Sequence, residues 1–206
     1  MQLLLQSLTV ALSDTSNYAY RSMPNLESPR AWNGTRHEYR DPHTVKQWNL
    51  WRSLRVLLSR SQEAIFRRSW PTLTQAPPPP HHYRTIRAGM ATDICVAAAS
   101  VLGASSTSEQ VSGSISRGYG LIYPLCLAGT CLLESLAEPT VSPGGSHTIL
   151  VSEPLHTDPL NHSSTQLAGV IARLDYIEKR IGIRWAASVS RFLRGQTRIF
   201  YDLGRT

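Results

Sequence analysis

Three cysteines and seven histidines are the side chains best suited to ligate a metal or act as nucleophile and base, and their spacing decides what is open to them. Cys126 and Cys131 are five residues apart. On one helix they point about 140° from each other, so they do not converge on one ion. Cys95 stands in the small apolar run ICVAAAS without a histidine beside it, the setting of a buried thiol rather than an activated thiolate. His81-His82 closes the run APPPPHH (residues 76 to 82) and has no convergent third ligand. His37, His43, His147, His156 and His162 fall in expected loops, where a surface histidine is commoner than a catalytic one. Gly113, Gly118 and Gly120 tempt a phosphate-loop reading, yet no strand precedes them and no Gly-Lys-Ser/Thr follows. The chain contains no Gly-x-Ser-x-Gly, His-Glu-x-x-His or paired CxxC motif. The expectation is a protein that is not an enzyme and holds no cofactor or metal of its own, unless a fold assembles residues that spacing does not reveal.

Few cysteines in apolar settings suit a reducing compartment rather than a disulfide framework. With 41% apolar and 17% charged residues in 206, the chain fits a folded protein with Ser-, Pro- and Gly-rich linkers. The net charge of +7 is almost all arginine, since Lys46 and Lys179 are the only lysines. Arg52, Arg55, Arg60, Arg67 and Arg68 fall on one expected helix, and Arg173, Arg180, Arg184, Arg191, Arg194 and Arg198 near the far end. They alternate with core-type residues and never form a basic run, so a solvated helix face is expected rather than a nucleic-acid surface. The start MQLLLQSLTVAL lacks the basic flank and cleavage site of a secretory signal. No membrane span is expected, because Pro124 and Glu134 interrupt the most apolar segment.

The elements that must position these groups read as about five helices joined by long loops, an all-α fold. Residues 1–43 read as a poorly ordered segment with one short helix at 3 to 12. Asp41-Pro42 then makes a helix start. From Thr44 to Arg68, Val45, Trp48, Trp51, Leu54, Leu58, Ile65 and Phe66 recur at mostly three- and four-residue spacing, predicting one broad apolar face with arginines beside it. A second helix spans Tyr83 to Leu102. A third runs from about Leu121 to Leu136, apolar nearly all round and therefore central, with Pro124 in its first turn. Ser163-Ser164-Thr165 caps a fourth, which Gly182 ends, and Ile183 through Leu193 makes a fifth, with Gly195 as its stop. Loops are expected at 70–82, 104–118 and 138–162, within a helical unit covering 44–203.

Four phrases in this order carry a resemblance: WNLWRSLRVLLSRSQEAI (48 to 65), YRTIRAGMATDICVAAASVL (83 to 102), LIYPLCLAGTCLLESL (121 to 136) and ARLDYIEKRIGIRWAASVSRFLRG (172 to 195). Together they resemble the carboxy-terminal part of the regulatory domain of fungal-type binuclear-zinc-cluster transcription factors. The resemblance implies an irregular, partial all-α regulatory domain or fragment, non-catalytic and nuclear. In that family DNA is contacted by a separate six-cysteine, two-zinc module. Three cysteines in expected helices do not form one, so zinc is expected only in such a module and direct DNA binding is not expected from these residues. The earlier helices of the whole domain are not recognisable, which implies uncovered apolar faces and hence protein partners or self-association through helix faces. Trp48, Trp51, Ile94, Leu125 and Leu174 are the candidate residues, as core first and interface second. The alternative is a small secreted or cytoplasmic protein of unknown role, which glycan at Asn33 or removal of residues 1 to about 19 would favour.

Overall fold

Asp41 starts the first helix because its carboxylate satisfies donors that the first turn leaves without partners. In a computed structural model that describes residues 20–24, 32, 34–69, 80–103, 111–137 and 159–197, Asp41 Oδ1 accepts hydrogen bonds from the backbone N–H groups of His43 (2.7 Å) and Thr44 (2.9 Å). Its Oδ2 accepts a third from the Thr44 hydroxyl (2.8 Å). These bonds, those from Thr44 foremost, hold the carboxyl below the usual aspartate range. Pro42 takes the first helical position, where its missing N–H costs nothing, and α1 spans Pro42–Ser69.

Pro80 and Pro159 do the same for α2 (Pro80–Gly103) and α4 (Pro159–Tyr176). The third helix, α3, spans Val111–Ala137. A short π-helical turn, Ile177–Ile181, follows α4 and ends at Gly182, whose φ of 83° lets its N–H reach the Glu178 carbonyl. The chain then enters α5, Arg184–Leu193. Ahead of α1, strand β1 (Tyr20–Pro24) pairs antiparallel with β2 (Thr35–Tyr39), Tyr20 opposite Tyr39 and Ser22 opposite His37. Among the described residues the fold is therefore mostly all-α, five helices with one small two-stranded sheet.

The core lies around α3. Leu121, Ile122, Leu125, Ala128, Cys131 and Leu132 are buried on it, against Ile94, Cys95 and Ala98 of α2 on one side. Val170 and Leu174 of α4, Ile177 of the π turn and Ala186, Val189 and Leu193 of α5 close the other. His81–Leu102 and Ile115–Ala137 are each long and apolar enough to cross a membrane by length and composition, unlike the reading from Pro124 and Glu134; about half of each is buried among the other helices.

Several expectations are corrected. Residues 20–24 and 35–39 form a hairpin where aperiodic loop is expected: strand pairing is a contact between distant residues that local periodicity does not register. α3 begins at Val111, ten residues before Leu121, so Pro124 lies inside the helix and not in its first turn. Glycine and serine make residues 111 to 118 poor helix formers alone, yet Gly118 packs against the Ile181 and Ile183 side chains, and burial overrides propensity. α4 begins at Pro159, which places Ser163, Ser164 and Thr165 inside the helix rather than at its cap. His81 and His82 lie in the first turn of α2, both exposed. The expected helix at 3 to 12, Asn33, and residues 70–79, 104–110, 138–158 and 198–206 lie outside the described residues.

Gly129 sets how closely α5 approaches α3. A β-carbon built there would lie 2.5 Å from Leu193 Cδ1 and 2.7 Å from Cδ2. Alanine in place of a helical glycine gains about 1 kcal/mol of propensity, whereas overpacking a buried junction costs about 1–3 kcal/mol. Since Leu193 is itself buried, overpacking wins. Gly129→Ala is expected to lower stability to urea by about 1 kcal/mol. In the Gly129→Ala/Leu193→Ala pair the loss should be smaller than the sum of the two single losses; simple additivity in that double-mutant cycle would remove the packing explanation.

Candidate functional site

Arg52 is the largest fully buried side chain on α1, at 0% exposure, although the sequence pattern expects it on a solvated face. The inward face of α1 is built from Thr44, Val45, Trp48, Asn49, Arg52, Val56, Ser59 and Glu63, a mixture of apolar and polar groups. The hairpin provides the reason burial is tolerated. Arg52 Nη1 donates to the Tyr39 hydroxyl (2.9 Å) and to Asn49 Oδ1 (3.2 Å), and Nη2 lies 3.5 Å from His37 Nδ1. The guanidinium carbon sits 5.2 Å from the Tyr20 ring centre and 5.4 Å from that of Trp48, within cation–π range. Among the described residues Asp93 of α2 is the carboxylate paired with it, at 3.8 Å from Nε, too far for a hydrogen bond. Among the described residues Arg52 Nε and Asn49 Nδ2 find no hydrogen-bond partner.

Burial dominates the titration of this cluster. It lowers His37 to about 4, with Arg52 adding to the effect, and raises Tyr39 to about 12 against the opposing pull of Arg52. Burial also raises Asp93, which Arg52 only partly offsets. A neutral imidazole, a neutral phenol and one buried cation make a docking joint between hairpin, α1 and α2. They do not make an acid–base pair poised near neutrality.

A second polar cluster joins α1, α2 and α3. Glu63 accepts from Arg67 (2.6 Å) and from Arg87 (2.6 Å), while Glu134 of α3 pairs with Arg60 (2.7 Å) and Arg87 (3.5 Å). Burial pushes the Glu63 carboxyl up, but Arg87 and then Arg67 outweigh it and leave it below the usual range. The groups line an open cleft of about 260 Å³. On the other side of the molecule Asp175 accepts from Ser190 (2.6 Å) and pairs with Arg194, clamping α5 to α4. Every carboxylate in these clusters is occupied by a cation from a neighbouring turn or helix, so they hold helices together.

The cysteines fit the same picture. Cys95 is buried and its thiol is raised to about 12, Cys131 to about 11, and Cys126 in the same direction, in each case first by burial. A thiol held protonated by burial is a poor nucleophile near neutral pH. Among the described residues no three His, Cys, Asp or Glu side chains are placed to hold a metal ion.

Of the candidate residues, Ile94, Leu125 and Leu174 are fully buried, and Trp48 and Trp51 nearly so, packed edge to face at 5.5 Å between ring centres. Trp48 borders the Arg52 cluster, while Ile94, Leu125 and Leu174 belong to the central core. The pattern on α1 departs from expectation in one further way. Leu54 and Ile65, expected on the inward face, point outward with Leu50. Spacing by threes and fours fits two faces of a long helix, and the outward one is legible as Leu50, Leu54, Leu57 and Leu58 only once the inward register is known.

Compared with known proteins, the chain matches no protein-family model, no curated protein and no solved structure.

Two outcomes test the Arg52 joint. Arg52→Ala leaves the Tyr39 hydroxyl, Asn49 and Asp93 facing a void, and is expected to lower stability by about 3 kcal/mol, read from urea unfolding. His37 binds its proton at about 4 when folded and at 6.5 in its ordinary state. Between those values the unfolded chain takes up a proton that the folded chain refuses, so this contribution is complete above pH 6.5 and is lost as pH falls toward 4. The urea midpoint is expected to drop over that interval, and His37→Asn to flatten the drop; an unchanged slope in the variant would place the titration elsewhere.

Proposed function

We propose that this chain is a non-catalytic transcription-regulatory domain or fragment, resembling the carboxy-terminal part of the regulatory domain of fungal-type zinc-cluster transcription factors and acting in the nucleus through protein contacts. The observation that carries this reading is that the colinear phrases meet one another at the helix junctions. Arg52 of WNLWR lies beside Asp93 of DIC. Gly129, the last residue of YPLCLAG, admits Leu193 of the terminal phrase. Within the terminal phrase, Asp175 holds Ser190 and Arg194 and so joins its two helices. Phrases built of common residues are weak evidence one at a time, but a scaffold in which each provides the other's contact is a consistent unit.

On this reading the helices transmit protein contacts, and DNA and zinc belong to a separate six-cysteine module. The buried thiols of Cys95 and Cys131 and the ion-paired Glu63, Glu134 and Asp175 accord with a scaffold.

The experiment is to fuse the full chain to an unrelated DNA-binding module and measure transcription of a reporter carrying its site, alongside the location of a tagged chain. Nuclear accumulation and a reporter level that differs from the module alone are expected, with the difference lost in Arg52→Ala. A chain that is glycosylated at Asn33 and released from the cell would overturn the reading in favour of a secreted protein.

A further inference from the structure

The arginines divide into those the fold has used and those it has not. On α1, Arg52 lies against Tyr39 and Asn49, Arg55 over the Trp51 ring, and Arg60 and Arg67 on Glu134 and Glu63. Residues 172–197 differ, with six cations against two carboxylates. Asp175 is engaged by Ser190, Arg194 and Lys179, and Arg173 lies over the Trp32 ring. Glu178, on the π turn, is the other carboxylate. Arg180, Arg184 and Arg191 are exposed and reach no carboxylate, hydroxyl or ring among the described residues.

Helical spacing sets their arrangement. α5 turns Ala186, Val189, Ser190 and Leu193 inward, which leaves Arg184 and Arg191 on its outward face, two turns apart with Ser188 between them. The two positions are separated by about 10 Å along the axis. Trp185 stands beside Arg184 at 46% exposure, whereas Trp32, Trp48 and Trp51 are buried. Arg180 precedes the Gly182 reversal, on the π turn that packs against α5.

We infer that this corner binds a single nucleic-acid strand, with Arg180, Arg184 and Arg191 taking its phosphates and the Trp185 indole stacking on a base. Cations beside an exposed ring are the combination that holds single strands without regard to sequence. A duplex offers phosphates to the arginines but keeps its bases inside the stack, away from the indole. An anionic membrane fits less well, because a helix lying in it inserts an apolar face, and that of α5 is already buried in the core. An acidic helix of another protein also fits less well, because it needs an aliphatic ridge to seat on, and Arg184, Ser188 and Arg191 do not form one. The inference goes beyond a regulatory role through protein contacts and does not rest on it.

The test is fluorescence anisotropy of a dye-labelled oligothymidine of about 15 nucleotides, titrated with the full chain at several salt concentrations. Saturable binding is expected, with log affinity falling on log salt at a slope of about −2 for three phosphates of a single strand. Arg184→Gln with Arg191→Gln is expected to bring the slope to about −0.7. Trp185→Ala is expected to weaken binding about tenfold with the slope retained, and Trp185→Phe to keep most of it. Arg21→Gln with Arg55→Gln removes the same charge from other faces and is expected to leave binding unchanged. All these side chains are exposed or half-buried, so each variant should unfold at the wild-type temperature. An equal loss in the charge-matched control, equal binding of a duplex of the same length, or no effect of Trp185→Ala overturns the inference. So does absence of oligonucleotide binding; co-sedimentation on phosphatidylserine vesicles then points to a membrane, and binding of a polyglutamate peptide to an acidic protein.

Discussion

A helix that is apolar nearly all round exists in water only if other elements cover every side of it, and α3 imposes that requirement on the chain. Covering it from one side takes the small-residue stretch of α2, where Ala91, Cys95 and Ala98 let the two backbones approach. Covering it from the other takes the reversal at Gly182, which returns α5 across α3 beside α4. The glycines of α3 then have a purpose that propensity alone would not suggest. Gly118 and Gly129 are gaps into which isoleucine and leucine side chains of the returning segment fit. Pro124 is the cost of this arrangement: it removes the hydrogen bond to the Gly120 carbonyl in mid-helix, and tertiary burial holds the helix together across the loss.

What was legible in the sequence follows from the range of the interaction involved. The Asp41-Pro42 start, the Gly182 break and the identity of the buried residues Ile94, Leu125 and Leu174 depend on side chains within a turn or on a period, and both can be read along the chain. The hairpin was not legible, because Tyr20 and Tyr39 are partners only through a turn and through Arg52 beneath them. Nor was the orientation of α1. Its apolar residues satisfy two helical faces, and choosing by hydrophobicity alone puts Leu54 inside and Arg52 outside, the reverse of the structure. The choice is made by the hairpin, whose tyrosines provide the acceptor and the aromatic faces that a buried guanidinium requires.

The arginines illustrate why a net charge of +7 is a poor guide to partners. Arg60, Arg87 and Arg194 tie helices together through Glu134, Glu63 and Asp175. Arg52, Arg55 and Arg173 lie over the rings of Tyr20 and Trp48, Trp51, and Trp32, with the Arg173 guanidinium 4.7 Å from the ring centre. Charges spent on internal joints contribute little field at the surface, so the basic balance does not by itself make a phosphate-tracking stripe.

The same sorting explains where interaction is left open. Where an arginine meets a carboxylate or a ring, its charge is already matched within the fold. On the outward face of α1 the aliphatic side chains of Leu50, Leu54 and Ile65 are exposed. Leaving Leu50 and Ile65 in solvent stabilises nothing in the isolated fold. Polar residues at those positions would serve the described elements equally well, so an aliphatic face there is one on which any further contact would bury apolar area that α1's inward face does not use.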